Sequence, residues 1–129
     1  MKILSTFLLV LTAAICVAQA DITPSVSAAL KKGDAATLAG MMMPQIELTI
    51  NGQDGNLSKA DAQKSLTTFF RDYTVTNFTV KHQGTSKLDD QYRIGEMATN
   101  KGNFRVTFFI KKSGTTMQIR QLKIEASDE

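Results

Sequence analysis

The sequence predicts an α+β fold, with N-terminal helices packed on a strongly curved antiparallel sheet in the order α-α-β-α-β-β-β-β. Three observations carry this. Apolar residues recur at helical spacing in the first half of the chain and mostly at strand spacing in the second. Turns bearing glycine and asparagine separate the later strand signals at hairpin distance. A helix cluster followed by such a meander buries its apolar surface by laying the helices on one face of the sheet.

Ahead of the domain stands a segment of different character. Lys2 gives a short basic start, residues 3–17 form an apolar run interrupted by Ser5, Thr6 and Thr12, and Ala18-Gln19-Ala20 has the small-x-small pattern that signal peptidase reads. The run is shorter than the about 20 apolar residues of a membrane span. The expectation is a signal peptide over residues 1–20, cleaved after Ala20, no membrane span, and a periplasmic or secreted protein whose residues 21–129 form one domain. Cys16, the only cysteine, leaves with the leader, so disulfides and thiolate metal sites are not expected. Ile15 before it argues against a lipoprotein cysteine. The formal charge is +3 and falls by one with Lys2. The charges are interspersed, and Lys31-Lys32 and Lys111-Lys112 are the longest basic runs. A nucleic-acid partner is therefore not expected.

Each element has its own signal. Over residues 22–30, Ile22, Val26, Ala29 and Leu30 recur at helical spacing, with Pro24 in the first turn and Lys31-Lys32-Gly33 as the helix end. Asp34 caps a second helix over 35–42, and Pro44 forces the chain out of it. Ile46, Leu48 and Ile50 alternate as a strand, and residues 51–56 read as a turn. Ser58 with Asp61 resembles a capping box and opens a third helix, whose core face is Ala62, Leu66, Phe69 and Phe70 and which ends near Tyr73. Four strand signals follow, around Phe78 and Val80, over 92–96, over 104–110 and over 117–124. In the last, Met117 and Ile119 share one parity and Leu122 and Ile124 the other, which predicts a bulge or bend between Ile119 and Leu122. Residues 100–103 and 112–115 read as hairpin turns.

This order, read with Ser58-Lys59-Ala60-Asp61-Ala62, His82-Gln83-Gly84-Thr85-Ser86, Tyr92-Arg93-Ile94-Gly95, Gly102-Asn103-Phe104-Arg105-Val106 and Gln121-Leu122-Lys123-Ile124-Glu125, resembles the family known as domain of unknown function 4783, small secreted proteins of Bacteroidetes-type bacteria. The resemblance covers about residues 22–125. It implies a nuclear transport factor 2-like, cystatin-like cone, a bent antiparallel sheet wrapped on a helix, and an exported address. It carries no known activity and transfers no catalytic residue. The chain departs from the family pattern at Met41-Met42-Met43-Pro44, where the family has an aromatic and acidic helix end.

Cone folds often enclose a pocket between sheet and helices, with chemistry supplied by polar residues that point inward. The inward candidates are His82, Tyr92, Glu96, Gln118 and Arg120. As catalytic candidates, Glu96 would be a carboxylate base and Tyr92 a hydrogen-bond donor to an enolate. At i and i+4 of one strand they share a face roughly 13 Å apart, so a substrate can span them but they cannot touch. The plainer reading pairs Glu96 with Arg105 or Arg120 across strands. His82, the only histidine, shares parity with Phe78 and Val80 and reads as a structural residue at the end of their buried face, before a turn at Gly84; the sharper reading is a general base. As ligand-binding candidates stand Tyr92, Glu96, Gln118 and Arg120. Ser58, Ser65 and Ser86 lie in no nucleophile-elbow sequence, and Ser58 reads as a cap. Met41-Met42-Met43 would aim three thioethers about 100° apart on a helix, a poor Cu(I) site and a good gap-filler. No metal and no cofactor is expected. Phe104, Val106, Phe108 and Phe109 make one strand apolar on both faces near its end, so Tyr92 and Phe109 are left over once a core is filled. Such a surplus marks a partner surface, or a face covered by the N-terminal helices.

The leading expectation is a non-catalytic exported binding module for a small apolar ligand or an envelope protein. The alternatives are an isomerase- or dehydratase-like enzyme with an interior pocket, and a structural homodimer of the envelope.

Overall fold

The computed structural model of the chain describes residues 21–86 and 90–127; the expected leader lies outside the described residues. Helices α1 (Thr23–Lys32) and α2 (Ala35–Gly40) are followed by strands β1 (Met42–Ile50) and β2 (Gln53–Ser58), helix α3 (Lys59–Asp72) and strands β3 (Val75–Thr85), β4 (Gln91–Thr99), β5 (Gly102–Ser113) and β6 (Thr116–Ala126). The strands form one six-stranded sheet in the order β2-β1-β6-β5-β4-β3.

The helix boundaries follow their local chemistry. The Asp21 carboxylate accepts hydrogen bonds from the Thr23 amide and hydroxyl at 2.9 and 2.6 Å, ahead of α1. Gly33, at φ 62°, closes α1 in the left-handed conformation that glycine adopts without a Cβ clash. Asp34 caps α2 through the Thr37 amide. Ser58 accepts from the Asp61 amide at 3.2 Å and starts α3, as the sequence predicts.

Two expectations about the sheet are corrected. Residues 53–58 form a strand and not part of a long turn. Asn51 and Gly52, at φ 50° and 82°, make a two-residue hairpin that returns β2 antiparallel along β1. The sheet is mixed rather than antiparallel throughout, because β1 runs parallel to β6. Pro44, expected before a strand, lies inside β1. It stands where the β1–β6 register shifts between Met42 and Glu47, a position that needs no ladder hydrogen bond. The predicted bulge in the last strand is present: opposite Phe109 and Ile110 the register steps from Gln121 to Ile119, leaving Arg120 as the extra residue. Further register shifts interrupt β3 between Val75 and Asn77 and between Val80 and His82. Bulges bend a strand and increase its twist, which is how this sheet curves.

All three helices lie on one face. There α1 meets β3 and β4, α3 meets β1 and β2, and α2 packs on α1 and α3. The core between the layers joins Val26, Leu30 and Leu38 with Leu66 and Phe69 of α3 and with Phe78, Met97, Phe104, Val106, Phe108, Leu122 and Ile124 of the sheet, each at most 4% exposed. Met42 is fully buried among them, and Met41 packs beside them. The helix expected to reach Met42 ends at Gly40, so Met41 follows α2 and Met42 and Met43 begin β1, and Met41 and Met42 fill core space.

Candidate functional site

In β4 the residues turned to the helices are Arg93, Gly95 and Met97, while Tyr92, Ile94 and Glu96 lie on the bare face. The register fixes this: Met97, Gly95 and Arg93 stand opposite the buried Phe104, Val106 and Phe108, and Tyr92 stands opposite Phe109. The inward placement expected of the candidates is thereby corrected. Tyr92, Glu96, His82, Gln118 and Arg120 all belong to the face away from the helices. For His82 the reason is the register shift after Val80, which turns the following residues over; His82 pairs with Ile94 and is exposed. Gly84 is strand and not turn. Tyr92 lies across it, and a Cβ there would come within 2.6 Å of the Tyr92 hydroxyl.

The strand makes the same substitution on its inner face. The Phe78 ring covers Gly95, where a Cβ would meet it at 2.6 Å. The guanidinium of Arg93 takes up the rest of the space. It donates to Thr23 Oγ1 at 2.9 Å, to the Tyr92 carbonyl at 2.9 Å and to Gln91 Oε1 at 3.0 Å, and it faces the Asp21 carboxylate at 3.7 Å. Each of the three guanidinium nitrogens of a nearly buried cation is thus engaged. Burial acts to raise the Asp21 carboxyl, but the hydrogen bonds from Thr23 and the charge of Arg93 outweigh it and hold the group below its ordinary value.

The candidates fall into two neighbourhoods on the bare face. One is aromatic. Tyr92 and Phe109 stand with ring centroids 6.3 Å apart, and the Arg120 guanidinium lies 5.3 Å over the Phe109 ring. Arg120 Nε donates to Asp90 Oδ2 at 2.7 Å, and its other arm reaches Glu47 at 3.9 Å. The Asp90 side chain is only 4% exposed, so this pair is partly desolvated and directional. The other neighbourhood is polar. His82 and Glu96 line one open cleft of about 560 Å³ with Ile94 and the charged side chains Lys81, Arg105 and Glu125. Glu96 stands opposite Arg105 and accepts from Asn103 Nδ2 at 3.2 Å. Gln118 stands opposite Lys111, toward the β5–β6 turn, and joins neither group.

Sequence reasoning missed Asp90 and Arg93. Their partners are 30 and 70 residues distant in the chain, so only the tertiary fold reveals them. Among the described residues no group of three or more His, Cys, Asp or Glu is placed to hold a metal ion, and no helix is long and apolar enough to cross a membrane.

Comparison with known proteins places this arrangement. Residues 23–125 match the family described as Domain of unknown function (DUF4783). A solved DUF4783 family protein from Bacteroides ovatus is 34% identical, with a TM-score of 0.75 over 81% of this chain and 94% of that one. A second, from Bacteroides uniformis, is 29% identical, with a TM-score of 0.78 over 84% of this chain and 100% of that one. A de novo designed protein with a curved β-sheet shares the fold alone, at 15% identity and a TM-score of 0.62 over 77% of this chain and 90% of that one. Nuclear transport factor 2-like structures are among the further neighbours, so the expected fold class stands. No curated protein matches the chain.

Proposed function

The chain belongs to the DUF4783 family, whose description assigns no activity, and we propose that it is a non-catalytic protein-binding module, exported by its leader, that pairs with a second copy of itself through the bare face of its sheet. One observation carries the reading. The bare face of β4 carries Tyr92 and Ile94 beside Glu96, extended across β5 by Phe109, and these lie half-buried with no helix of the described residues over them, while the core side holds Arg93 and Gly95 beside Met97. A strand that spends its aromatic residue on the uncovered face is built for contact. The rim supports a second copy as the occupant. Glu47 and Glu96 alternate with Arg120, Arg105 and Lys123 across four strands. A face with both signs can be complementary to itself under a two-fold axis, and a partner of single sign would meet repulsion on half of it.

Sedimentation velocity on the protein, purified after export with its own leader, tests this. The expected result is a dimer at tens of micromolar that becomes monomeric on Phe109→Glu with its fold retained. A wild-type monomer at that concentration would overturn the reading. The export step has its own readout: the recovered chain should begin at Asp21, and recovery of an intact Met1 or of a lipid-modified Cys16 would contradict it. The enzyme reading places its chemistry on Tyr92, Glu96 and His82. The three lie on an open face rather than around an enclosed pocket, which favours contact over catalysis.

A further inference from the structure

We infer that Asn51, at the tip of the β1–β2 hairpin, is a self-modification site, where asparagine converts to isoaspartate at a rate set by opening of the hairpin. Asparagine is among the thermolabile residues, and its loss begins when the amide nitrogen of the next residue attacks the side-chain carbonyl carbon. Asn51 is the asparagine best placed for that attack. It is exposed and is followed by Gly52, where a Cβ would meet nothing within 4 Å, so no side chain hinders the attacking nitrogen. The other asparagines precede Leu57, Phe78, Lys101 and Phe104. Asn100 also accepts from the Thr74 amide at 3.0 Å, and Asn103 Nδ2 donates to Glu96 at 3.2 Å. The Gly52 nitrogen bonds to Asn51 Cγ, the Cγ–Nδ2 bond breaks, and Nδ2 leaves as ammonia with the Gly52 amide proton. Water then opens the cyclic imide and is the only reagent consumed. Cleavage at Cγ gives aspartate. Cleavage at the main-chain carbonyl gives isoaspartate, whose backbone runs through Cβ and Cγ.

The native turn holds this step back. Asn51 sits at φ 50°, and the left-handed conformation carries ψ of about +47°, which points the next nitrogen away from the carboxamide. The Asn51 amide donates to the Ile124 carbonyl at 2.9 Å, and the Thr49 hydroxyl joins the two strands by donating to Asp54 at 2.6 Å. Reaction therefore waits for opening, and opening is local: β2 is an edge strand, paired with β1 alone, and none of its residues is buried. Reclosure depends on the product. Aspartate before glycine suits a two-residue turn as asparagine does. Isoaspartate lengthens the backbone of the turn and spoils its match to the six residue pairs of β1 and β2. The change is one-way, and it loosens the edge strand beside α3 while leaving the face of β4 and β5 intact.

Ageing the exported protein at mildly alkaline pH tests the inference, with peptide mass spectrometry and an isoaspartate-specific methyltransferase as readouts. Residue 51 should be the first to gain the dalton that marks deamidation, mostly as isoaspartate, several-fold more slowly than in an unstructured peptide of residues 46–56. Asp54→Ala removes the side-chain bond between the strands and should speed the loss several-fold. Asn51→Gly keeps a residue at ease with positive φ and should abolish it with the melting temperature kept. The aged chain should exchange the amide hydrogens of 53–57 several-fold faster than the fresh one, whereas Asn51→Asp, which adds the charge without lengthening the backbone, should not. First modification at another asparagine or at Asp54, no loss of Asn51 in the aged chain, or equal rates in the folded chain and the peptide would overturn it.

Discussion

The two faces of the sheet use similar residues for different ends. On the helix side, Phe104, Val106, Phe108 and Ile110 lie in one row, each at most 4% exposed. On the other side Phe109 and Tyr92 lie beside each other, with the Arg120 guanidinium over Phe109 and Gly84 under Tyr92. Phe108 and Phe109 are neighbours in sequence, yet one belongs to the core and the other to the outside. The contrast is sharpest in β4, where the covered face carries Arg93 and Gly95 and the open face carries Tyr92 and Ile94. A strand evolved for stability alone would reverse that choice, since burying an arginine requires all its donors to be met. The lesson is that the helix layer brings its own means of filling the covered face: Phe78 over Gly95, and Thr23 with Asp21 around Arg93. The open face is thereby left its aromatic residues.

Substitutions can break this comparison or sharpen it. The largest effect is expected for Phe108→Ala, which should cost about 3–5 kcal/mol of folding stability in chemical denaturation, through lost transfer and a cavity that cannot close. The change one residue later, Phe109→Ala, should cost the monomer about 1 kcal/mol or less while weakening self-association far more. Equal losses in folding stability would erase the distinction between the faces. Next comes Arg120→Ala. It leaves the Asp90 carboxylate almost buried without its cation and should cost about 3 kcal/mol at neutral pH; a loss under about 1 kcal/mol would show the pair to behave as a surface bridge. Arg93→Met keeps the bulk on the covered face but removes the donor to Thr23 Oγ1 and the cation facing Asp21, and should lower stability by about 1–3 kcal/mol.

The smallest effect is one of pH. Asp21 and Asp34 are both held below the ordinary carboxylate value. For Asp21, Thr23 hydrogen bonds and Arg93 prevail over burial; for Asp34 the Thr37 hydrogen bonds come first. A depressed carboxyl contributes stability above its unfolded value and loses it as pH falls through the folded one. Melting curves of the native protein and Asp21→Asn should therefore differ at pH 7 and converge in strong acid. A difference that persists there would mean that Asp21 does not act through its charge.

Much of the fold was legible where one residue's neighbours in sequence decide its conformation. The Ser58 cap, the helix end at Gly33, the alternation of 104–110 and the bulge announced by Ile119 and Leu122 are all of this kind. The short hairpin was legible too, since Asn51-Gly52 is a strong turn signal, but the polar run after it hid β2. What the sequence could not state was pairing over distance. The parallel contact of β1 with β6 joins the two ends of the domain. The facing of the site depended on it as well: in β4 the apolar parity points outward, and in β3 the bulge after Val80 turns His82 over. Hydrophobic parity identifies the inner face only when every inner position fills its own space, and here Phe78 and α1 fill it for β4.

A second copy of the chain is proposed to meet the open face, and cross-linking reads that contact directly. The chain carries no cysteine after position 16, so Thr107→Cys, half-buried on β5 between Ile94 and Lys123, can be probed alone in protein recovered from Asp21 onward with a short bis-maleimide. A covalent dimer is expected from Thr107→Cys and none from Lys64→Cys on the exposed side of α3. Comparable yields from the two positions, or no dimer from Thr107→Cys, would contradict it.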